Sequence, residues 1–110
     1  MTSDALAARC EALRQPVLSL VETGILATMK PSAAPDLVER IAAVRDVLAQ
    51  GVEGIDEPEY LAWHPVAVAT LHQMDAAARA GDAAEAWRLL KDPNIGFNAL
   101  GVACQGSPGW

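Results

Sequence analysis

His64 and His72 stand eight residues apart in a segment that reads as a helix, with Tyr60 and Trp63 just before the first and Asp75 three residues after the second. Eight residues carry a helix about 80° past two full revolutions, so the two imidazoles sit two turns apart on neighbouring faces. His72 and Asp75, at i and i+3, share a surface. Pro65 follows His64 directly and interrupts the backbone ladder, which predicts a bend at Trp63-His64-Pro65. Tyr60, Trp63, His64, His72 and Asp75 are therefore the candidate ligand-binding residues. They describe a pocket at the bend, where an imidazole and an indole approach a small apolar ligand or a metal. The simpler reading is an ordinary helix with half-exposed or hydrogen-bonded histidines and Trp63 in the core. Two histidines without a third ligand nearby make a poor metal site.

Other chemistries lack their residues. The chain has no GxxxxGKS/T or GxGxxG phosphate loop, no CxxC, no HExxH and no GxSxG elbow. It also lacks the Glu-x-x-His pairs that build di-iron sites in bundles. No catalytic residue is assigned, and an enzyme is not the favoured class. No cofactor is expected, although the residue types leave a haem or a metal open. Met29 and Met74 read as gap-filling side chains, Trp87 as a core anchor and Cys10 as inert packing.

The elements that must position these side chains are helices. Hydrophobic residues make up 52% of the 110 and aromatics only 5%, so the apolar content is mostly alanine, leucine and valine. Alanine loses no side-chain entropy in a helix, and the β-branched and aromatic residues that suit strands are scarce. The chain is too short to divide into two cores, which predicts one domain over residues 1–104 and a short tail over 105–110. A formal charge of -6 argues against nucleic acid and anionic membrane surfaces as partners. The first residues lack a basic region followed by an apolar one, and no apolar run is long enough to cross a bilayer. A cytoplasmic location is expected, with Cys10 and Cys104 reduced and buried as small apolar groups. Whether the two cysteines meet stays open at this level.

Five helical segments follow from the apolar recurrences. Ser3 caps the first, whose stripe is Leu6, Cys10, Leu13, Val17, Leu20 and Gly24, with a kink at Pro16 and an end before Pro31. The second begins at Pro35, buries Leu37, Ile41, Val44 and Leu48, and stops at Gly51. After a loop over 52–57, the third runs from Asp56 or Glu57 to Ala80, with Leu61, Val68, Leu71 and Ala78 inward and Met74 beside them. Asp82 and Glu85 form a capping box for the fourth, which turns Trp87 and Leu90 inward. The fifth starts between Asp92 and Asn94 and reaches Cys104, with Ile95, Leu100 and Ala103 facing in. Gly96 and Gly101 weaken it unless another backbone approaches closely. Short linkers then predict an antiparallel bundle of four to five helices, with helices 1 and 3 kinked at proline.

From Leu71 to Cys104 the pattern LHQMDAAARAGDAAEAWRLL…GFNALGVAC resembles the last part of cytochromes of the c-prime type. That resemblance covers about a third of the chain and implies a four-helix bundle. Those cytochromes attach haem through CxxCH near the C-terminus. Cys104 takes the place of the first cysteine, but Gln105-Gly106-Ser107-Pro108 follows, so the second cysteine and the axial histidine are missing and covalent haem is not carried over.

The apolar supply of the first helix, including Leu18, Val21, Ile25 and Leu26, exceeds what one neighbour covers. It points to a protein that works by association, as a homodimer or with another protein partner. The alternative is a small-molecule or metal-binding bundle using the pocket at the bend of the third helix. Trp110, behind Ser-Pro-Gly, must fold back, dock on a partner or stand in water.

Overall fold

The computed structural model describes residues 3–107 and 109–110. Five α-helices form: α1 (Asp4–Met29), α2 (Ala34–Leu48), α3 (Pro58–Arg79), α4 (Ala83–Lys91) and α5 (Asn98–Ala103). A 3-10 turn over Pro31–Ala33 joins the first two, and there is no strand among the described residues. No described helix is long and apolar enough to cross a membrane.

α1 begins where its cap requires. The Ser3 hydroxyl accepts from the Leu6 amide at 3.2 Å. The Ser3 amide and hydroxyl in turn donate to the Glu57 carboxylate at 2.6 and 2.9 Å, which ties the start of α1 to the start of α3. At 26 residues α1 is roughly 39 Å long, close to the 42 Å long dimension of the molecule. Its buried face is Leu6, Arg9, Cys10, Leu13, Val17, Leu20, Gly24 and Ala27, the expected stripe extended by one turn and joined by Arg9. Pro16 lies within the helix. Gly24 is where the α4 indole comes down on α1, since a Cβ there would stand 2.9 Å from Trp87 Cε3.

α1 packs against α2 and α4, and α3 packs against α2, α4 and α5. The α2 stripe of Leu37, Ile41, Val44 and Leu48 is buried as expected. The inner face of α3 differs from expectation. Leu61 and Val68 are exposed, and the buried residues are Tyr60, Trp63, Ala67, Thr70, Leu71, Met74 and Ala78. Both sets fit a helical period. Burying the two large aromatic side chains outweighs burying Leu61 and Val68, so the helix turns that way.

Asp82 accepts from the Glu85 amide at 3.1 Å, giving half of the expected capping box. Glu85 pairs with Arg88 rather than reaching back. The fifth helix starts later than expected, at Asn98, because residues 92–97 form a capped turn. The Asp92 carboxylate accepts from the amides of Asn94 (2.8 Å) and Ile95 (3.1 Å). The Leu90 carbonyl accepts from the Phe97 amide. Gly96 is the close approach that its composition invited, because a Cβ there would collide with the Leu90 carbonyl.

The cysteines correct the expectation of reduced thiols. Cys10 and Cys104 form a disulfide, with Cα atoms 5.7 Å apart and a sequence separation of 94. Cys104, the residue that caps the end of α5, thereby meets the buried stripe of α1. Trp110 folds back onto α1, its indole N–H donating to the Cys10 carbonyl at 3.0 Å. Pro108, in the turn expected over 105–110, lies outside the described residues.

Candidate functional site

The five candidate residues fall into three environments. Tyr60, Trp63 and His64 cluster in the first two turns of α3. The Tyr60 ring centroid is 5.5 Å from Trp63 and 5.7 Å from His64. Asp75 lies three turns further along, where Arg79 on the same helix (2.9 Å) and Arg45 from α2 (3.7 Å) take its carboxylate. His72 is exposed. The i, i+3 pairing of His72 with Asp75 does not form, since the cations at Arg45 and Arg79 hold the carboxylate. Among the described residues, no three His, Cys, Asp or Glu side chains converge as a metal would require.

Trp63 is a structural clamp. Its indole N–H donates to the Gly96 carbonyl at 3.2 Å, and its ring meets Phe97 edge-on at 5.3 Å. Thr70, two turns on, donates to the Ile95 carbonyl at 2.7 Å. Between them, two α3 side chains hold the turn that leads into α5.

Tyr60 and His64 meet a residue that the sequence reading passed over. Arg9 of α1 is 8% exposed, and its Nη1 donates to the Gly51 carbonyl at 2.6 Å and to the Tyr60 hydroxyl at 3.1 Å. The Tyr60 oxygen also lies 3.3 Å from His64 Nδ1. With Arg9 donating to the phenol oxygen, the phenol proton is available to Nδ1 in the tautomer that carries its proton on Nε2. The signal in the sequence was position: Arg9 is three residues after Leu6 and four before Leu13, at the edge of the buried stripe.

Burial pushes the Tyr60 phenol above its ordinary value, while the Arg9 hydrogen bond and charge pull it down. Burial also lowers the His64 pKa from 6.5, and the Arg9 charge adds to that. Since the folded state holds its proton less tightly, the unfolded chain binds more protons just below pH 6.5. Stability is then full above that pH and falls as pH drops from 6.5 toward the folded-state value. We expect the urea midpoint of the protein to fall across this window, and His64→Gln to flatten that part of the profile. An unchanged profile in the variant would remove His64 as the cause.

Among the described residues, three surface clefts can be named elsewhere. One is lined by Arg45, Asp46, Leu48, Val68 and Leu71 between α2 and α3. A second sits at Pro35, Val38, Ala78 and Arg79. The third, on α1, is lined by Arg14, Val17, Leu18, Val21 and Trp110. None of the three takes in Tyr60, Trp63, His64 or His72. Cys104, which stands at the position of the first cysteine in the cytochrome-like pattern, is bonded to Cys10. Compared with known protein families, curated proteins and solved structures, the chain matches none of them.

Proposed function

We propose that this chain is an antiparallel bundle, bent at Pro16 and Pro65, that works by pairing with a second copy of itself through the outer face of α1. The carrying observation is the exposure of Leu18 (48%), Ile25 (44%), Leu26 (46%) and Met29 (73%) on one helix. These four fall within an arc of about 100° on the far side of α1 from its buried stripe. Single exposed leucines are ordinary, whereas four in three turns, interrupted on that face by the exposed Glu22, make an apolar face that calls for a partner. Trp110 and Val21, at the cleft beside Leu18, extend it. Charge supports an isologous contact. Glu22 and Lys30 are both exposed at the ends of the Ile25–Leu26 segment, and a two-fold antiparallel pairing centred on Leu26 sets each Glu22 opposite the other copy's Lys30. The disulfide favours an oxidising compartment as the place of work over the expected cytoplasm.

The test is Ile25→Glu combined with Leu26→Glu, the two exposed side chains at the centre of that pairing. Both side chains are exposed, so the helical spectrum and the melt of the variant should match those of the parent. A two-fold contact repeats each loss, so self-association should weaken by at least about tenfold in gel filtration across a dilution series. Unchanged elution of the variant as a dimer would move the interface elsewhere.

A further inference from the structure

Arg9 is the anomaly of the buried interior. The chain carries 14 acidic residues against 8 basic ones, yet none of the described acids pairs with this arginine. Burying a guanidinium is costly unless its charge and donors are met. Two of its five N–H donors are. Both protons of Nη1 are taken, one by the Gly51 carbonyl and one by the Tyr60 hydroxyl. The placement of Gly51 just beyond α2 also sets the cation near that helix's negative end.

What remains is the Nε/Nη2 edge. It has no acceptor among the described residues, and no fully buried side-chain nitrogen or oxygen there lacks a partner. The edge therefore touches solvent, although the residue as a whole is more than nine-tenths buried. Its two parallel N–H groups match the spacing of two carboxylate oxygens, and the Gly51 and Tyr60 bonds hold the guanidinium plane still. An arginine fixed at one nitrogen, with its fork at the edge of solvent and no internal counter-ion, is placed to take an anion from outside.

We propose that Arg9, positioned by Tyr60 and the Gly51 carbonyl, binds the carboxylate of a small organic acid. This site is independent of the α1 pairing face. Fixing the guanidinium in advance lowers the ordering cost of binding, and the partly excluded water strengthens the charge-assisted bonds. Tyr60, with His64 beside its hydroxyl, acts on the ligand through Arg9.

Acetate is the simplest probe, and the side-chain Nε–H resonance of Arg9 in the intact oxidised protein is the readout. At constant ionic strength, millimolar acetate should shift that resonance saturably while chloride leaves it in place. Arg9→Lys keeps the charge and loses the fork, so it should lose acetate-dependent thermal stabilisation. Tyr60→Phe keeps the ring and loses the acceptor, so it should weaken the acetate shift severalfold and serves if Arg9→Lys does not fold. A linear, unsaturated response to acetate in the wild-type protein would overturn the proposal. So would saturation by inorganic phosphate without saturation by acetate, or undiminished stabilisation of Arg9→Lys.

Discussion

Replacing Cys10 and Cys104 together by serine lowers the unfolding free energy by about 5 kcal/mol. The disulfide closes a loop spanning 94 residues of sequence separation, nearly the whole chain. Removing that link gives the unfolded chain the conformational freedom of an open polymer, and the chain-entropy relation for a loop of this size sets the scale. A domain of this length is stable by roughly 5–15 kcal/mol, so the loss is a large part of the total. Both cysteines are fully buried. Serine hydroxyls left there without partners add to the cost, so Cys→Ala replacements at both sites isolate the cross-link. Urea unfolding of the oxidised parent, the reduced parent and the double alanine variant checks this. The reduced parent and the alanine variant should agree, both well below the oxidised protein. If all three share one midpoint, the cross-link contributes nothing to the native state.

Trp63→Ala should cost about 3–5 kcal/mol, the range for deleting a large buried aromatic side chain. The residue is 3% exposed, packs against Tyr60 and Phe97, and donates to the Gly96 carbonyl. Its loss opens a cavity under the turn over 92–97 and leaves that carbonyl without its donor. Trp63→Phe separates the two effects, because it keeps most of the ring contact and removes the N–H. Its cost should be about 1–3 kcal/mol. Amide exchange gives the local readout, with protection of Gly96, Phe97 and Leu100 falling more than that of α2. Equal loss of protection everywhere would mean that Trp63 holds the whole bundle rather than this turn.

How much of this could be read from residues alone depended on whether the deciding contact was local. The α1 stripe through Leu6, Cys10, Leu13, Val17 and Leu20 is set by one unambiguous period, and it is buried in that order. The caps at Ser3 and Asp82 depend on three-residue spacings and are equally legible. On α3 two phases fit, and the correct one depends on which neighbours receive Tyr60 and Trp63. The late start of α5 depends on the Leu90 carbonyl and the Asp92 carboxylate capping a turn, and the Cys10–Cys104 bond on helix placement across 94 residues. The candidate site divides the same way. Tyr60, Trp63 and His64 are neighbours by helical spacing and stay together, while Asp75 is held by Arg45 from another helix. Arg9 joins Tyr60 only through a tertiary hydrogen bond from α1 to the start of α3.

The pairing of α1 faces is the claim on which the functional account turns, and sedimentation equilibrium of the intact oxidised protein tests it most directly. The account predicts a mass that climbs with concentration to twice that of one chain at high micromolar levels. A single species with the mass of one chain across that range would contradict it.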